Sequence, residues 1–150
     1  FHESLNWARL WELPILFVAH PRTRGRLERF GLAPALARMP SLQVVEPLRY
    51  LDMLRLQEQA RLVMTDSGGM QEETTVLGVP CLTLRDNTER PVTITHGTNV
   101  LVGSAPERIV AEAMAVLEGR AVRPGLRPEL WDGHAAKRLA EVLRGGIQRR

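Results

Sequence analysis

Short apolar runs alternate along the chain with segments whose apolar residues recur at helical spacing. The apolar runs predict five parallel β-strands, at residues 15–19, 42–46, 62–65, 81–84 and 99–102. Helices are predicted between and after these strands, at residues 24–30, 50–60, 70–77, 106–117 and 135–143. Apolar strands that alternate with helices are typical of a parallel sheet buried on both faces. The pattern therefore predicts an α/β fold, with a parallel sheet flanked by helices, over residues 1–150.

The composition narrows the class of protein. The 150 residues are 44% hydrophobic and 25% charged, as in one ordinary soluble domain. Lys and Arg number 20 against 17 Asp and Glu, and the resulting net charge of +3 is too small to indicate nucleic-acid binding. Neither a membrane span nor a signal peptide is recognisable, so we expect a cytoplasmic protein with no membrane contact. Because the sequence begins with Phe1, we also expect that it was cut from a longer chain.

The single cysteine, Cys81, and the four histidines offer little chemistry by their spacing. One cysteine cannot form an internal disulfide, which fits a reducing compartment. Because Cys81 lies inside an apolar run, it is expected to fill the core. No two histidines share metal-ligand spacing, so neither a metal site nor a cofactor is predicted.

The segment Asp66-Ser67-Gly68-Gly69 follows the third predicted strand and leads into a helix. The free N–H groups and the positive dipole end of such a helix form an anion site. Gly68 and Gly69 have no Cβ to keep a phosphate from the backbone, and Ser67 can donate a hydroxyl or cap the helix. The alternative is a simple cap and tight turn. Ligands of open parallel sheets bind where strands end, which favours the phosphate interpretation.

Two acidic residues, Glu72 and Glu73, lie in the first turns of the same predicted helix. Glu73 follows Ser67 by about one and a half turns, where its carboxylate could accept hydrogen bonds from paired ribose hydroxyls. Glu72 is interpreted as solvated or as capping the helix.

Two further features are expected at the same edge of the sheet. The loop at residues 85–91 contains Arg85 and Arg90, which could neutralise a diphosphate, and Pro91 predicts the start of a helix. The alternative is an exposed polar loop with internal ion pairs. His20 follows the first predicted strand, where it could donate to a phosphate or act as an acid, although a lone histidine at a strand end is usually structural.

Three blocks of the sequence together resemble one known family. These are TDSGGMQEE at residues 65–73, VLGVPCLTLRDNTERP at residues 76–91 and HGTNVLVG at residues 96–103. They are similar to the carboxyl-terminal domain of bacterial UDP-N-acetylglucosamine 2-epimerases of the non-hydrolysing type. Residues 20–23, 46–54 and 132–133 also match, so the resemblance covers most of the chain from about Ile15 onward.

The resemblance implies a fold and a reaction. The fold is one Rossmann-like half of a GT-B-type enzyme with two domains, whose reaction takes place in the cleft between them. The reaction interconverts UDP-GlcNAc and UDP-ManNAc for polysaccharide biosynthesis. UDP leaves by anti elimination to give a glycal and is then added back with the opposite configuration at C2.

The resemblance also implies roles for seven residues. Carried over by position, Ser67, Gly68 and Gly69 are the diphosphate-binding turn, Glu73 binds ribose, Arg90 contacts the diphosphate, and His20 is the active-site histidine. Met53 falls where the family usually has an aromatic contact to uracil. A methionine can still pack on the face of a base.

The partners implied by the resemblance are UDP-GlcNAc, UDP, a first domain and a second copy in a homodimer. Because the family's catalytic carboxylates lie in that first domain, the chain alone is expected to be inactive. The final helix, within residues 134–145, is expected to pack on the missing domain through Leu139, Val142 and Leu143. Two alternatives stay open, namely the nucleotide-sugar-binding half of a GT-B glycosyltransferase and a free-standing UDP-sugar-binding module without turnover.

Overall fold

The computed structural model describes residues 14–121 and 127–147, and in it strands and helices alternate. The strands are β1 Ile15–Val18, β2 Leu42–Val45, β3 Val63–Thr65, β4 Cys81–Thr83 and β5 Asn99–Leu101. The helices are α1 Pro21–Arg29, α2 Ala33–Ala37, α3 Tyr50–Glu58, α4 Gly68–Leu77, α5 Pro91–Thr95, α6 Pro106–Leu117 and α7 Ala135–Ile147. The predicted α/β class is confirmed.

The strands pair in parallel within two sheets. β1 pairs with β2, with Ile15 opposite Leu42. β4 lies between β3 and β5, with Cys81 opposite both Val63 and Asn99. Within the part of the chain that the structure describes, no ladder joins these two sheets. The strand positions and their direction agree with the prediction, but the division does not follow from it, because apolar runs identify strands without fixing which strands become neighbours.

Among residues 14–121 and 127–147, two apolar clusters form the core. One contains the buried residues Leu36 and Met39, with Ile15, Leu27 and Leu42 packed against them. The other contains the buried residues Val63, Val79 and Cys81, with Ala60, Met70 and Leu77 packed against them. Each sheet therefore has its own apolar support.

Cys81 fills the core as predicted, since it is 1% exposed. Burial raises the pKa of its thiol to about 11, and hydrogen bonds with Thr74 and Thr83 offset part of that rise. The thiol is therefore protonated at neutral pH and is not a nucleophile.

Two helices begin earlier than predicted. α1 begins at Pro21 because a proline suits the first turn and the Nδ1 atom of His20 accepts a hydrogen bond from the backbone N–H of Arg22, at 3.2 Å. α4 begins at Gly68, so both glycines of the turn belong to its first turn. It ends, as predicted, at Leu77, and Gly78 caps it with a φ of 74°, the left-handed conformation that glycine adopts without strain.

The last two helices follow the predicted pattern. α6 has the predicted bounds, whereas α7 continues past residue 143 to Ile147. The Gly and Pro residues of the segment 119–128 predict a linker, and its residues 122–126 lie outside the described residues. Among the described helices, none is both long and apolar enough to cross a membrane.

The start of α7 is fixed by Asp132. Its carboxylate accepts hydrogen bonds from the guanidinium of Arg138 at 2.8 Å and from the backbone N–H of His134 at 2.9 Å. These contacts, the one with Arg138 above all, lower the pKa of Asp132 to about 2. Arg138 also donates to the carbonyl of Leu130 at 2.7 Å, so the chain before α7 is clamped to its second turn.

Candidate functional site

In the turn between β3 and α4, the backbone N–H of Ser67 donates to the hydroxyl of Thr65 at 3.0 Å, whereas its side chain is open. Ser67 occupies the N-cap position with extended backbone, and its side chain makes no capping hydrogen bond. A Cβ built on Gly68 would meet nothing within 4 Å, and one on Gly69 would meet only the Ser67 hydroxyl at 4.0 Å. Internal packing therefore does not require either glycine. The N–H groups of a first helical turn have no acceptor within the helix, so this turn can receive an anion.

Glu73 faces α3. Its Oε2 atom accepts a hydrogen bond of 2.6 Å from the Nε2 atom of Gln57, a residue that is 2% exposed. Met53 lies four residues before Gln57 and shares its face of the helix. Glu73 therefore lies at the boundary between α3 and α4, and helical spacing places Met53 on the side of α3 that faces it.

Arg90 is linked to the helix that carries the glycine turn. Its Nε atom lies 2.9 Å from Oε1 of Glu72, in an ion pair between two half-exposed side chains. The interpretation of Glu72 as a solvated or capping residue is therefore incomplete, because it pairs with Arg90. The pair was missed because its partners are distant in the sequence. Opposite charges in neighbouring βα units were the available signal.

Gln71 and Thr88 form a second link between α4 and the loop before α5. The hydroxyl of Thr88 donates to Oε1 of Gln71 at 2.6 Å and accepts from the backbone N–H of Arg90 at 3.0 Å. Thr93 donates to the carbonyl of Arg90 at 2.7 Å. The backbone of Arg90 is thus held on both sides. Sequence reasoning identified the loop but missed Gln71, which is fully buried.

A buried polar layer continues from Gln71 to β5. Asn99 donates its side-chain N–H to the carbonyl of Gln71 at 3.2 Å, and the hydroxyl of Thr75 donates to the same oxygen at 2.9 Å. Gly97 allows this packing, since a Cβ there would lie 2.5 Å from both Thr75 Oγ1 and the carbonyl of Thr93. The block at residues 96–103 therefore contributes to the site by packing against α4 and α5.

His20 lies at the end of β1, on the other sheet. It is exposed, and its Nδ1 atom accepts the hydrogen bond that begins α1. In the neutral ring this places the proton on Nε2. Nearby, Arg24 of α1 forms an ion pair with Glu46, which follows β2. Among the described residues, no hydrogen bond or ion pair connects His20 to Ser67 or Arg90.

Comparison with known proteins identifies the family of this chain. Residues 4–144 match the family model of UDP-N-acetylglucosamine 2-epimerase. The chain belongs to the UDP-N-acetylglucosamine 2-epimerase family. A UDP-N-acetylglucosamine 2-epimerase of Methanococcus maripaludis is 47% identical over 140 residues, which are 93% of this chain and 37% of that protein.

Two further known proteins are similar to this epimerase-family chain. A UDP-2,3-diacetamido-2,3-dideoxy-D-glucuronate 2-epimerase of Pseudomonas aeruginosa is 41% identical over 142 residues, covering 94% of this chain and 38% of that protein. The crystal structure of the Methanocaldococcus jannaschii UDP-GlcNAc 2-epimerase in complex with UDP-GlcNAc and UDP superposes with a TM-score of 0.79 at 37% identity. That superposition covers 95% of this chain and 39% of the other. The chain thus spans well under half the length of these relatives.

Proposed function

We propose that this chain is the UDP-binding part of an epimerase that interconverts UDP-GlcNAc and UDP-ManNAc by removing and re-adding UDP. One observation carries the proposal. The glycine turn and Arg90, the two groups suited to a diphosphate, lie close together, because Arg90 pairs with Glu72 of α4 and Thr88 of the Arg90 loop donates to Gln71 of the same helix. Membership of the epimerase family, together with a solved relative that binds UDP-GlcNAc and UDP, supports this choice of nucleotide.

In this proposal the diphosphate lies against the first turn of α4. The N–H groups of Gly68 and Gly69, with the hydroxyl of Ser67, donate to its oxygens, where the helix dipole favours negative charge. The guanidinium of Arg90 adds charge-assisted hydrogen bonds. As the bond to the sugar breaks, the departing UDP gains negative charge, which the same groups stabilise.

The nucleoside lies over the boundary between α3 and α4. Glu73 accepts hydrogen bonds from the ribose hydroxyls, while Gln57 holds one of its oxygens. Met53 packs on the uracil through its polarizable thioether. His20, on the other sheet, acts as a phosphate donor through its Nε2–H or as an acid.

The proposal extends to the whole enzyme. We assign residues 1–150 to one UDP-sugar-binding domain that works with a further domain carrying the catalytic carboxylates, and we expect the complete enzyme to be a homodimer. The final helix packs on that further domain through Leu139, Val142 and Leu143, which are 61%, 71% and 59% exposed. Apolar side chains exposed to this extent on one helix favour a covering surface. The chain alone then binds UDP without turnover.

A chimera tests the proposed reaction. This chain replaces the equivalent segment of the Methanococcus maripaludis relative, and the chimera is incubated with UDP-GlcNAc in D₂O. Because elimination removes the C2 proton, we expect UDP-ManNAc that carries deuterium at C2, detected by NMR, and loss of this product in the Arg90→Ala chimera.

Other outcomes of the same assay separate the alternatives. Transfer of the sugar to an added acceptor would indicate a glycosyltransferase. UDP binding without any turnover in a folded chimera would indicate a binding module. Turnover only of the diacetamido-glucuronate nucleotide would assign the sugar named for the Pseudomonas aeruginosa relative.

A further inference from the structure

Gln71 is a polar side chain where packing alone favours an apolar one. It lies in the first turns of α4, is fully buried, and has no hydrogen-bond partner for its Nε2 atom among the described residues. A buried amide with an unpaired donor destabilises folding relative to an apolar side chain of similar size. In the described structure, Gln71 makes one side-chain contact that an apolar residue could not make. This contact is the hydrogen bond of 2.6 Å that it accepts from Thr88.

That bond belongs to a directed chain. Thr88 has one hydroxyl proton, which it donates to Gln71, and a lone pair that accepts the backbone N–H of Arg90 at 3.0 Å. Because the proton is committed at one end, the hydroxyl is oriented at the other. The position of the Arg90 backbone is therefore set by a side chain of α4.

The same helix carries the glycine turn. Gln71 follows Gly69 by two residues on α4, and its carbonyl is held from beneath by Asn99 and Thr75. Because these bonds fix the helical turn, Gln71 keeps a constant position relative to the first N–H groups of α4. Gln71 thus connects two groups that lie on different βα units.

We propose that Gln71 is a positioning residue which, through Thr88, sets the distance between the Arg90 guanidinium and the glycine turn. Resting on the proposed function, this inference assigns Gln71 a share in diphosphate recognition without contact to the ligand. The nucleoside side of the site, which involves Glu73 and Met53, does not depend on it.

The test compares the affinities of the full chain for UDP and for uridine, each measured by NMR titration. Gln71→Met keeps the size of the side chain and removes the acceptor. Thr88→Val removes the hydroxyl with little change in shape, and Thr88→Ser keeps it. We expect Gln71→Met and Thr88→Val each to weaken UDP binding by about five- to tenfold, with uridine binding unchanged and Thr88→Ser close to the wild type.

Non-additivity provides the second readout. Because both substitutions break one chain, the double variant Gln71→Met, Thr88→Val is expected to bind UDP no more weakly than either single variant. In an Arg90→Ala background, Gln71→Met is expected to have no further effect on UDP binding. A merely structural role would instead reduce the affinities for UDP and uridine together.

Three outcomes would overturn the inference. The first is equal weakening of UDP and uridine binding by Gln71→Met, and the second is full UDP affinity in Thr88→Val while Arg90→Ala loses it. Because Thr88 is only partly buried, Thr88→Val is expected to fold. It therefore tests the inference even if Gln71→Met does not fold. The third is a wild-type chain that binds UDP no better than uridine, which would overturn the proposed function as well.

Discussion

The unit built on β3–β5 buries polar side chains beneath its glycine turn, whereas the unit built on β1 and β2 keeps its polar side chains at the surface. In the first unit, Gln71, Thr74 and Asn99 have no exposed surface. In the second, His20 is exposed and is anchored only at the start of its own helix. The buried side chains fix the elements that carry the groups we propose for UDP binding. His20 lacks such support, so we expect its position to depend on the further domain proposed above.

The largest effect on stability is expected from adding a methyl group at Gly97, in the unit built on β3–β5. In Gly97→Ala the new Cβ would lie 2.5 Å from the backbone carbonyl of Thr93, so α5 must move. Overpacking costs about 1–3 kcal/mol and sometimes more. We expect the free energy of unfolding, measured with urea, to fall by about 3 kcal/mol.

Gly25→Ala is the matched control in the other unit. Gly25 lies inside α1, and a Cβ there would meet nothing within 4 Å. Alanine in a helix interior is more favourable than glycine by about 0.5–1 kcal/mol, so we expect the chain to become more stable. Equal destabilisation by the two substitutions would show that the units do not differ in packing.

A pH effect of somewhat smaller size is expected from Cys81. Its folded pKa of about 11 lies above the reference value of 9.0, so the unfolded chain releases the thiol proton first as the pH rises. The stabilisation is present below pH 9 and declines toward pH 11, by up to about 2–3 kcal/mol. Urea unfolding of the wild type and Cys81→Ala between about pH 8 and about pH 11 isolates this contribution. A difference between them that does not vary with pH would argue against a buried, neutral thiol.

The smallest effect concerns the ion pair at the ligand edge. Glu72→Gln releases Arg90 and removes a negative charge beside the proposed diphosphate. Because both side chains are half exposed, we expect UDP to bind more tightly by at most about 1 kcal/mol, or about fivefold. Glu46→Gln, which releases Arg24 in the other unit, should leave UDP affinity unchanged in the same calorimetric titration. Weaker UDP binding in Glu72→Gln would mean that Glu72 orients Arg90 for the ligand.

The elements that follow from local patterns were predictable. The bounds of α6 agree with the prediction because a proline at its first position and an apolar stripe define it. The five residues of α2 are too few to show a period, and this helix was not predicted. The predicted start of α4 was Met70, after the glycine turn, whereas the structure includes both glycines in the first turn of the helix, although glycine disfavours helix interiors.

The candidate site, too, has residues that were predictable from the sequence and contacts that were not. Residue types that suit phosphate and ribose identified Ser67, Glu73 and Arg90 from the sequence, and their roles stay predictions. The bond between Gln71 and Thr88 joins residues 17 positions apart. No local period reports such a contact, because it arises only when two βα units pack together. The division of the strands into two sheets has the same non-local origin.

The most direct test of the account is calorimetric titration of the full chain and of Arg90→Ala with UDP and with uridine. Arg24→Ala serves as the matched control, because it removes an arginine that is paired in the other unit. Loss of hydrogen bonds to a charged group costs about 1.5–3 kcal/mol. We therefore predict that Arg90→Ala weakens UDP binding by that amount, that uridine binding is unchanged, and that Arg24→Ala behaves like the wild type. Equal losses for UDP and uridine, or undiminished UDP binding in Arg90→Ala, would contradict the assignment of this edge to the diphosphate.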